Sequence, residues 1–325
     1  MLRFLVRRVL GAIVILLLIS AVTYFLFFAL PADPAALSCG KNCNPQTLAL
    51  IRKNLGLDEP VPVQYWQYMI GIFLGRNMTI GHCSAPCFGY SFASQQPVWS
   101  TLMNRYPTTV TLAAMGALIF LVIGVGLGLI SAARQGTAFD KIASAVSLTG
   151  QSVQIYFIGP LAIYLFADTL GWLSRGHDPD WTHDPVGSIT GMILPAMVMS
   201  VIFWSNYSRQ TRSLMVEQLS EDHVRTARAK GMTSRYVFMR YALRGAMGPI
   251  ITIFGMDLSS VFGGAIITEY TFGLHGLGQL AVSAVTQTDL PLEMGVMLFG
   301  AAAIVIANII VDACYAVIDP RIRLS

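Results

Sequence analysis

From Val9 to Leu30 the chain runs 22 residues without a single charge. A stretch of that length and polarity is stable where water is absent. The hydrocarbon core of a bilayer is roughly 30 Å thick and a helix rises about 1.5 Å per residue, so a crossing needs about 20 apolar residues. Five further segments approach that length. Val110 to Ala133 is uncharged, and Ile142 to Ala167 is as long but contains Gln151, Gln154 and Pro160. Gly191 to Tyr207, Met247 to Ile267 with Asp257 inside, and Met294 to Val311 with Asp312 at its end are shorter or more polar. Only 12% of the residues are charged and mean hydropathy is +0.61, against about 25% charged residues in soluble domains. An all-α integral membrane protein with six transmembrane helices is expected.

Positively charged flanks stay on the cytoplasmic side. With the N-terminus inside, fifteen Lys and Arg fall inside and six outside, the six being Lys41, Arg52, Lys53, Arg76, Arg105 and Arg175. Both termini are therefore placed in the cytoplasm. The net charge of +4 reflects these arginine-rich inner loops and calls for no nucleic-acid partner. Arg3, Arg7 and Arg8 ahead of an apolar run resemble a secretory signal, but the run exceeds the usual 7 to 15 residues and no small-x-small cleavage pattern follows. It is taken as a retained helix over residues 1–30, ended at Pro31.

Residues 31–107 form an outer segment too long for a simple connector. Asn44-Pro45 is an N-cap and first-turn pair, Leu48, Ile51 and Leu55 share a helical face, and Gly56 is a natural stop. Pro62 to Leu74, with Tyr65, Trp66 and Tyr68, is too short to span and suits an interfacial or outer-surface helix. Cys39 and Cys43, then Cys83 and Cys87, lie in this segment. On the oxidising side disulfides are expected, with three connectivities open; a zinc site or free thiols are the alternatives. Cys314 reads as a small buried hydrophobe.

Gly124, Gly126 and Gly128 contain a small-x3-small spacing that allows close helix approach in lipid. Gly273, Gly276 and Gly278 have the wrong spacing and context for a dinucleotide fingerprint, and no G-x4-G-K-[ST] occurs. No ATP site, metal site or catalytic group is expected in this chain. Carboxylates near the membrane are costly and need partners. Asp257, close to the middle of its span, and Glu269 are candidate pathway residues with Gln151 and Gln154, while Asp168 and Asp312 read as helix ends. An intramembrane aspartyl dyad would require two carboxylates face to face, of which the sequence gives no sign.

The basic stretch within residues 218–245 carries most of the functional information. Ser220 can cap a helix whose first turn holds Glu221 and Asp222 and whose last turn holds Arg228 and Lys230, with Gly231 ending it. Thr233 can cap the next. Val224, Ala227 and Gly231 recur at i, i+3 and i+7, a small face flanked by Arg225 and Arg228 and suited to a shallow groove on a partner.

Arg225-Thr226-Ala227-Arg228-Ala229-Lys230-Gly231 resembles the coupling-helix motif of permease subunits in the peptide/nickel branch of type I ABC importers. The family's general form is E-A-A-x3-G; in this branch R-T-A takes those places, so Arg225, Thr226, Ala227 and Gly231 align. Leu194-Pro195, Arg209, Arg212, Glu217-x-Leu219, Leu55-Gly56-Leu57-Asp58-x-Pro60 and Asp319-Pro320-Arg321-Ile322-Arg323 match as well. The long loop after the first span is similar to that of the first of the two permeases in such systems. His275 stands where the family usually has proline, and Cys83 and Cys87 sit in an insertion. The resemblance implies the type I importer permease fold, with a five-helix core over residues 108–318 and a tail over 319–325. It also implies a prokaryotic plasma-membrane location, a second homologous permease, two ATP-binding subunits that hold ATP and Mg, and an external binding protein delivering peptide. Nickel or another small solute is the alternative cargo. A passive channel or a membrane enzyme are the alternatives outside the family.

Overall fold

The computed structural model describes residues 2–31, 33–39, 43–78 and 81–318, with the side chains of 2–5, 259, 264 and 312–318 left aside. The family-like tail and the roles given to Asp312 and Cys314 lie outside what is described. In chain order the helices are α1 (Leu2–Tyr24), α2 (Pro34–Cys39), α3 (Pro45–Leu55), α4 (Val61–Leu74), α5 (Val98–Phe120), α6 (Gly126–Ala133) and α7 (Ala138–Ser152). They continue with α8 (Ile155–Ala162), α9 (Pro185–Ser220), α10 (Asp222–Ala229), α11 (Ser234–Tyr236), α12 (Leu243–Phe272), α13 (Leu277–Gln287) and α14 (Leu290–Ile318). Among the described residues four helical stretches are long and apolar enough to cross a membrane, Val6–Ala29, Val98–Ala133, Pro185–Ser220 and Leu290–Val311, and the number rises to six if each of two bent pairs is one span.

Two expectations about these spans change. The segment read as Ile142 to Ala167 is two arms, Ala138–Ser152 and Ile155–Thr169, meeting at 105°. Val153 and Gln154 leave the helix with ψ of 130° and 144°, so Gln151 and Gln154 flank a break instead of interrupting a straight crossing. The fourth span is 36 residues long because its hydrophobic run stops near Tyr207 while its helix does not. Asp184 starts it by accepting from the Gly187 amide at 2.8 Å, with Pro185 in the first turn.

The chain divides into two compact units, Met1–Thr108 with His275–Ile309, and Thr109–Leu274 with Ile310–Ser325. In the first unit α3 is built as its sequence dictates. Asn44 accepts from Gln46 N, and Gly56 ends the helix at φ 67°, a conformation that favours glycine. Two short antiparallel hairpins, β1 (Arg76–Met78) with β2 (Gly81–Cys83) and β3 (Tyr90–Ser91) with β4 (Gln96–Pro97), were not foreseen. Cys39 bonds Cys43 and Cys83 bonds Cys87. Each bridge closes a five-residue loop, so chain entropy gives each only roughly 2 kcal/mol. Tyr24 stacks on Phe28 at 4.7 Å and meets Tyr65 edge-on at 5.6 Å, and its hydroxyl donates to Gln64 at 3.2 Å. Asp289 accepts from Ser91 Oγ, from Ala93 N at 3.3 Å and from Leu292 N at 3.3 Å, which ties the β3 loop to the start of α14.

In the second unit α9 is the central column and packs against α6, α7, α8 and α12. Gly124 and Gly128 make this possible. A Cβ on Gly124 would lie 2.7 Å from Tyr207 Cβ, and one on Gly128 would lie 2.6 Å from the Ser208 carbonyl oxygen, whereas one on Gly126 would touch nothing within 4 Å. The expected small-x3-small contact is therefore made by the outer two glycines. Phe120 fills the centre, 5.0 Å from Tyr207, 5.1 Å from Phe203 and 6.1 Å from Phe254 between ring centroids.

Candidate functional site

The basic stretch folds as a short helix, α10, between the end of α9 and the start of the fifth crossing. Glu221 leaves α9 with an extended backbone (ψ 150°) and occupies the N-cap position without a side-chain cap. Ser220 does not cap α10, because its hydroxyl donates back to Glu217 O at 2.7 Å within α9. Thr226 Oγ1 donates to Asp222 O at 2.9 Å, and Arg225 lies 3.6 Å from the exposed Asp222 carboxylate. Acid in the first turn and Arg228 in the last both suit the helix dipole. Gly231, at φ 78°, ends the turn, with its amide on Arg228 O and the Met232 amide on Ala227 O.

After the turn, Thr233 takes the N-cap position but makes no side-chain cap. The segment does not form a separate second helix. α11 passes through a π turn, Val237–Ala242, directly into α12, so α10 adjoins the root of a long helix.

Two members of the small face, Val224 and Ala227, point inward, while the third, Gly231, is exposed. Val224 is 0% exposed and Ala227 3%, packed against α9 and the Val237–Ala242 turn. That corrects the expectation that this face enters a partner: small apolar residues were free to bury against their own chain, and did so. The outward face carries Asp222, His223, Arg225, Thr226, Arg228, Ala229, Lys230 and Gly231, all exposed. Glu221 is exposed with them. The resulting surface carries Arg225, Arg228 and Lys230 and is attached from beneath by two small side chains.

The polar residues of the core do not form one site. Glu269 is fully buried and accepts from Thr109 Oγ1 at 2.6 Å. Asp257 lies near the 42° bend between Ser234–Leu258 and Ser260–Phe272. Its Oδ2 and the Tyr207 hydroxyl are both sealed from solvent without a conventional hydrogen bond, yet the two groups are near enough to interact. Twelve residues of helix separate Asp257 from Glu269, roughly 18 Å. Gln151 and Gln154 are exposed beside the break.

Sequence reasoning missed the strongest polar contact of this unit. Asp140, 5% exposed at its side chain, is gripped by Arg212 through Nε and through Nη2, the latter at 2.7 Å. Ser131 Oγ and the Gly136 amide, at 3.0 Å, complete its shell. The fork ties the α6–α7 turn to α9. Only Arg212 had been singled out, as a family match; its partner lies 72 residues away.

Residues 1–113 match the model described as the N-terminal part of a binding-protein-dependent transport system membrane component. Residues 124–324 match that of the binding-protein-dependent transport system inner membrane component. A Brucella abortus (strain 2308) protein described as a peptide transport system permease is 36% identical over 321 residues, 98% of each chain. A Salmonella choleraesuis (strain SC-B67) protein named as a glutathione transport system permease is 32% identical over 323 residues, 99% of each chain. Among solved structures, one titled as an inward-facing methionine ABC transporter gives a TM-score of 0.48 at 15% identity, covering 68% of this chain and 94% of that one.

Proposed function

Because this chain belongs to the family of binding-protein-dependent transport system inner membrane components, we propose that it is a permease subunit of an ATP-driven importer that moves peptides into the cytoplasm. The names of its relatives, peptide and glutathione permeases, support peptide as the cargo, glutathione being itself a tripeptide. It works beside a second, related permease, two ATP-binding subunits that hold ATP and Mg, and an external binding protein. The Lys and Arg count supports cytoplasmic termini, which puts α10 on the same side as the ATP-binding subunits.

The observation that carries this reading is the mounting of α10. Its cationic face is free, its small face is fixed to α9, and the chain after it enters α12 without a hinge helix. A push on Arg225 or Arg228 would thus be passed both to α9 and to the root of α12. Closure of the ATP-binding subunits becomes a tilt of the bundle, the lever needed for alternating access.

The test is uptake of a labelled tripeptide by proteoliposomes holding the full complex. Arg225→Glu with Arg228→Glu reverses the charge of the exposed face and leaves Val224 and Ala227 in place. Uptake is expected to fall at least tenfold, with weaker retention of the ATP-binding subunits and normal insertion of the chain. Unchanged uptake would remove α10 as the docking element.

A further inference from the structure

A cavity of about 340 Å³ lies within the first unit, between the end of α1, α3, α4 and β1, with Tyr24, Asn54, Gln64, Tyr68, Arg76 and Pro291 among its walls. Lys53 stands at its rim, and among the described residues no carboxylate lines it. The Arg76 guanidinium is built into this wall. Its carbon lies 5.4 Å from the Tyr68 ring centroid. A Cβ on Gly71 would lie 3.1 Å from Arg76 Cδ, and one on Gly89 would lie 3.2 Å from Nη2. Two positions without side chains thus leave the channel that the arginine occupies, and Gly89, at φ 108°, is in a conformation suited to glycine.

The seat lacks a counter-charge. Among the described residues Arg76 joins no ion pair, and its Nε is sealed from solvent without a hydrogen-bond acceptor. The Tyr68 hydroxyl, on a residue 5% exposed, is likewise buried and unbonded. Burial holds the guanidinium below its usual pKa and pushes the phenol above its own. Arginine does not shed its proton in proteins, and with Arg76 half-buried its charge is only partly within reach of water. Two donors in the wall of this cavity are without an acceptor and no carboxylate lines it, and an external anion meets both needs.

We propose that this cavity binds an oxyanion, a carboxylate or phosphate group, with Arg76 gripping it and the Tyr68 hydroxyl as second donor. The guanidinium fork matches two oxygens of either group. Phe28 and Phe88 in the walls suit a ligand with a short apolar portion, and the volume is at the small end for ligand pockets. Such an anion reaches the site free in solution or as the headgroup of an anionic lipid. The inference does not depend on the transport reading.

The test uses the purified complex in an uncharged maltoside detergent, with chloride holding ionic strength constant. Melting midpoints are followed by tryptophan fluorescence against two probes, succinate and dihexanoyl phosphatidylglycerol. A saturable rise is expected in the wild type. Arg76→Gln is expected to need at least tenfold more of the same probe, and Arg76→Lys, which keeps the charge but loses the fork, to fall between. A response to succinate assigns a soluble carboxylate; a response to the lipid alone assigns a headgroup. No response to either probe in the wild type, or an unchanged response in Arg76→Gln, overturns the proposal. Folding of each variant is read from the Cys83–Cys87 bridge by peptide mass mapping. If Arg76→Gln does not fold, Tyr68→Phe replaces it: a response at least fivefold weaker upholds the site, and an unchanged one overturns it.

Discussion

Replacing Gly128 with leucine is expected to destroy the packing of α6 on α9 and with it the stability of the second unit. The clash is with backbone: a mere Cβ at this position would lie 2.6 Å from the Ser208 carbonyl oxygen and 2.6 Å from Thr211 Cβ. No rotamer change relieves such a contact, so the helices must separate. Between helices in lipid, close packing of small residues supplies much of the attraction. Overpacking usually costs 1 to 3 kcal/mol, and with a rigid neighbour about 3 kcal/mol or more is expected. Gly126→Ala is the companion measurement. Its Cβ has nothing within 4 Å, so stability should stay within about 1 kcal/mol of wild type, with helix propensity favouring alanine. Unfolding titrations of both variants in SDS from mixed micelles decide the matter; equal behaviour would mean that α6 does not approach α9 as described.

Asp140→Ala is expected to be the most damaging polar substitution. It leaves the Arg212 guanidinium without its fork partner and the Ser131 hydroxyl and Gly136 amide without their acceptor. Removing one member of a buried ion pair costs 3 to 5 kcal/mol; the Arg212 side chain keeps 30% of its exposure, so about 3 kcal/mol is expected. Arg212→Met should cost less in the Asp140→Ala background than alone, since no buried charge then remains on either side. A double-mutant cycle by the same unfolding assay measures this, and strictly additive losses would deny the coupling.

What the sequence made legible was whatever is local. Asn44, Pro45 and Gly56 delimited α3 because capping is decided within a few residues. The apolar runs located the crossings for the same reason. Three of the features that escaped have a clear physical cause. The Asp140–Arg212 fork joins residues 72 apart and has no local signature. The end of α9 was placed near Tyr207 because hydropathy falls there, yet helix geometry continues to Ser220 through polar residues such as Ser208 and Thr211 that are buried by neighbours. The small face of α10 was misdirected because periodicity tells which residues share a face, not what covers it. Burial of Val224 and Ala227 inside their own unit and burial against a partner leave the same pattern in the chain.

The 105° break between α7 and α8 carries a consequence for life in the bilayer. A helix end leaves about four amides or four carbonyls without intrahelical partners, so this corner, counted as part of one crossing, sets two such ends at membrane depth. Hydrocarbon offers them nothing, and each group left bare there costs several kcal/mol. Gln151 and Gln154 bring further polar atoms to the same place. That corner is therefore compatible with the bilayer only where protein or water, and not lipid, covers it.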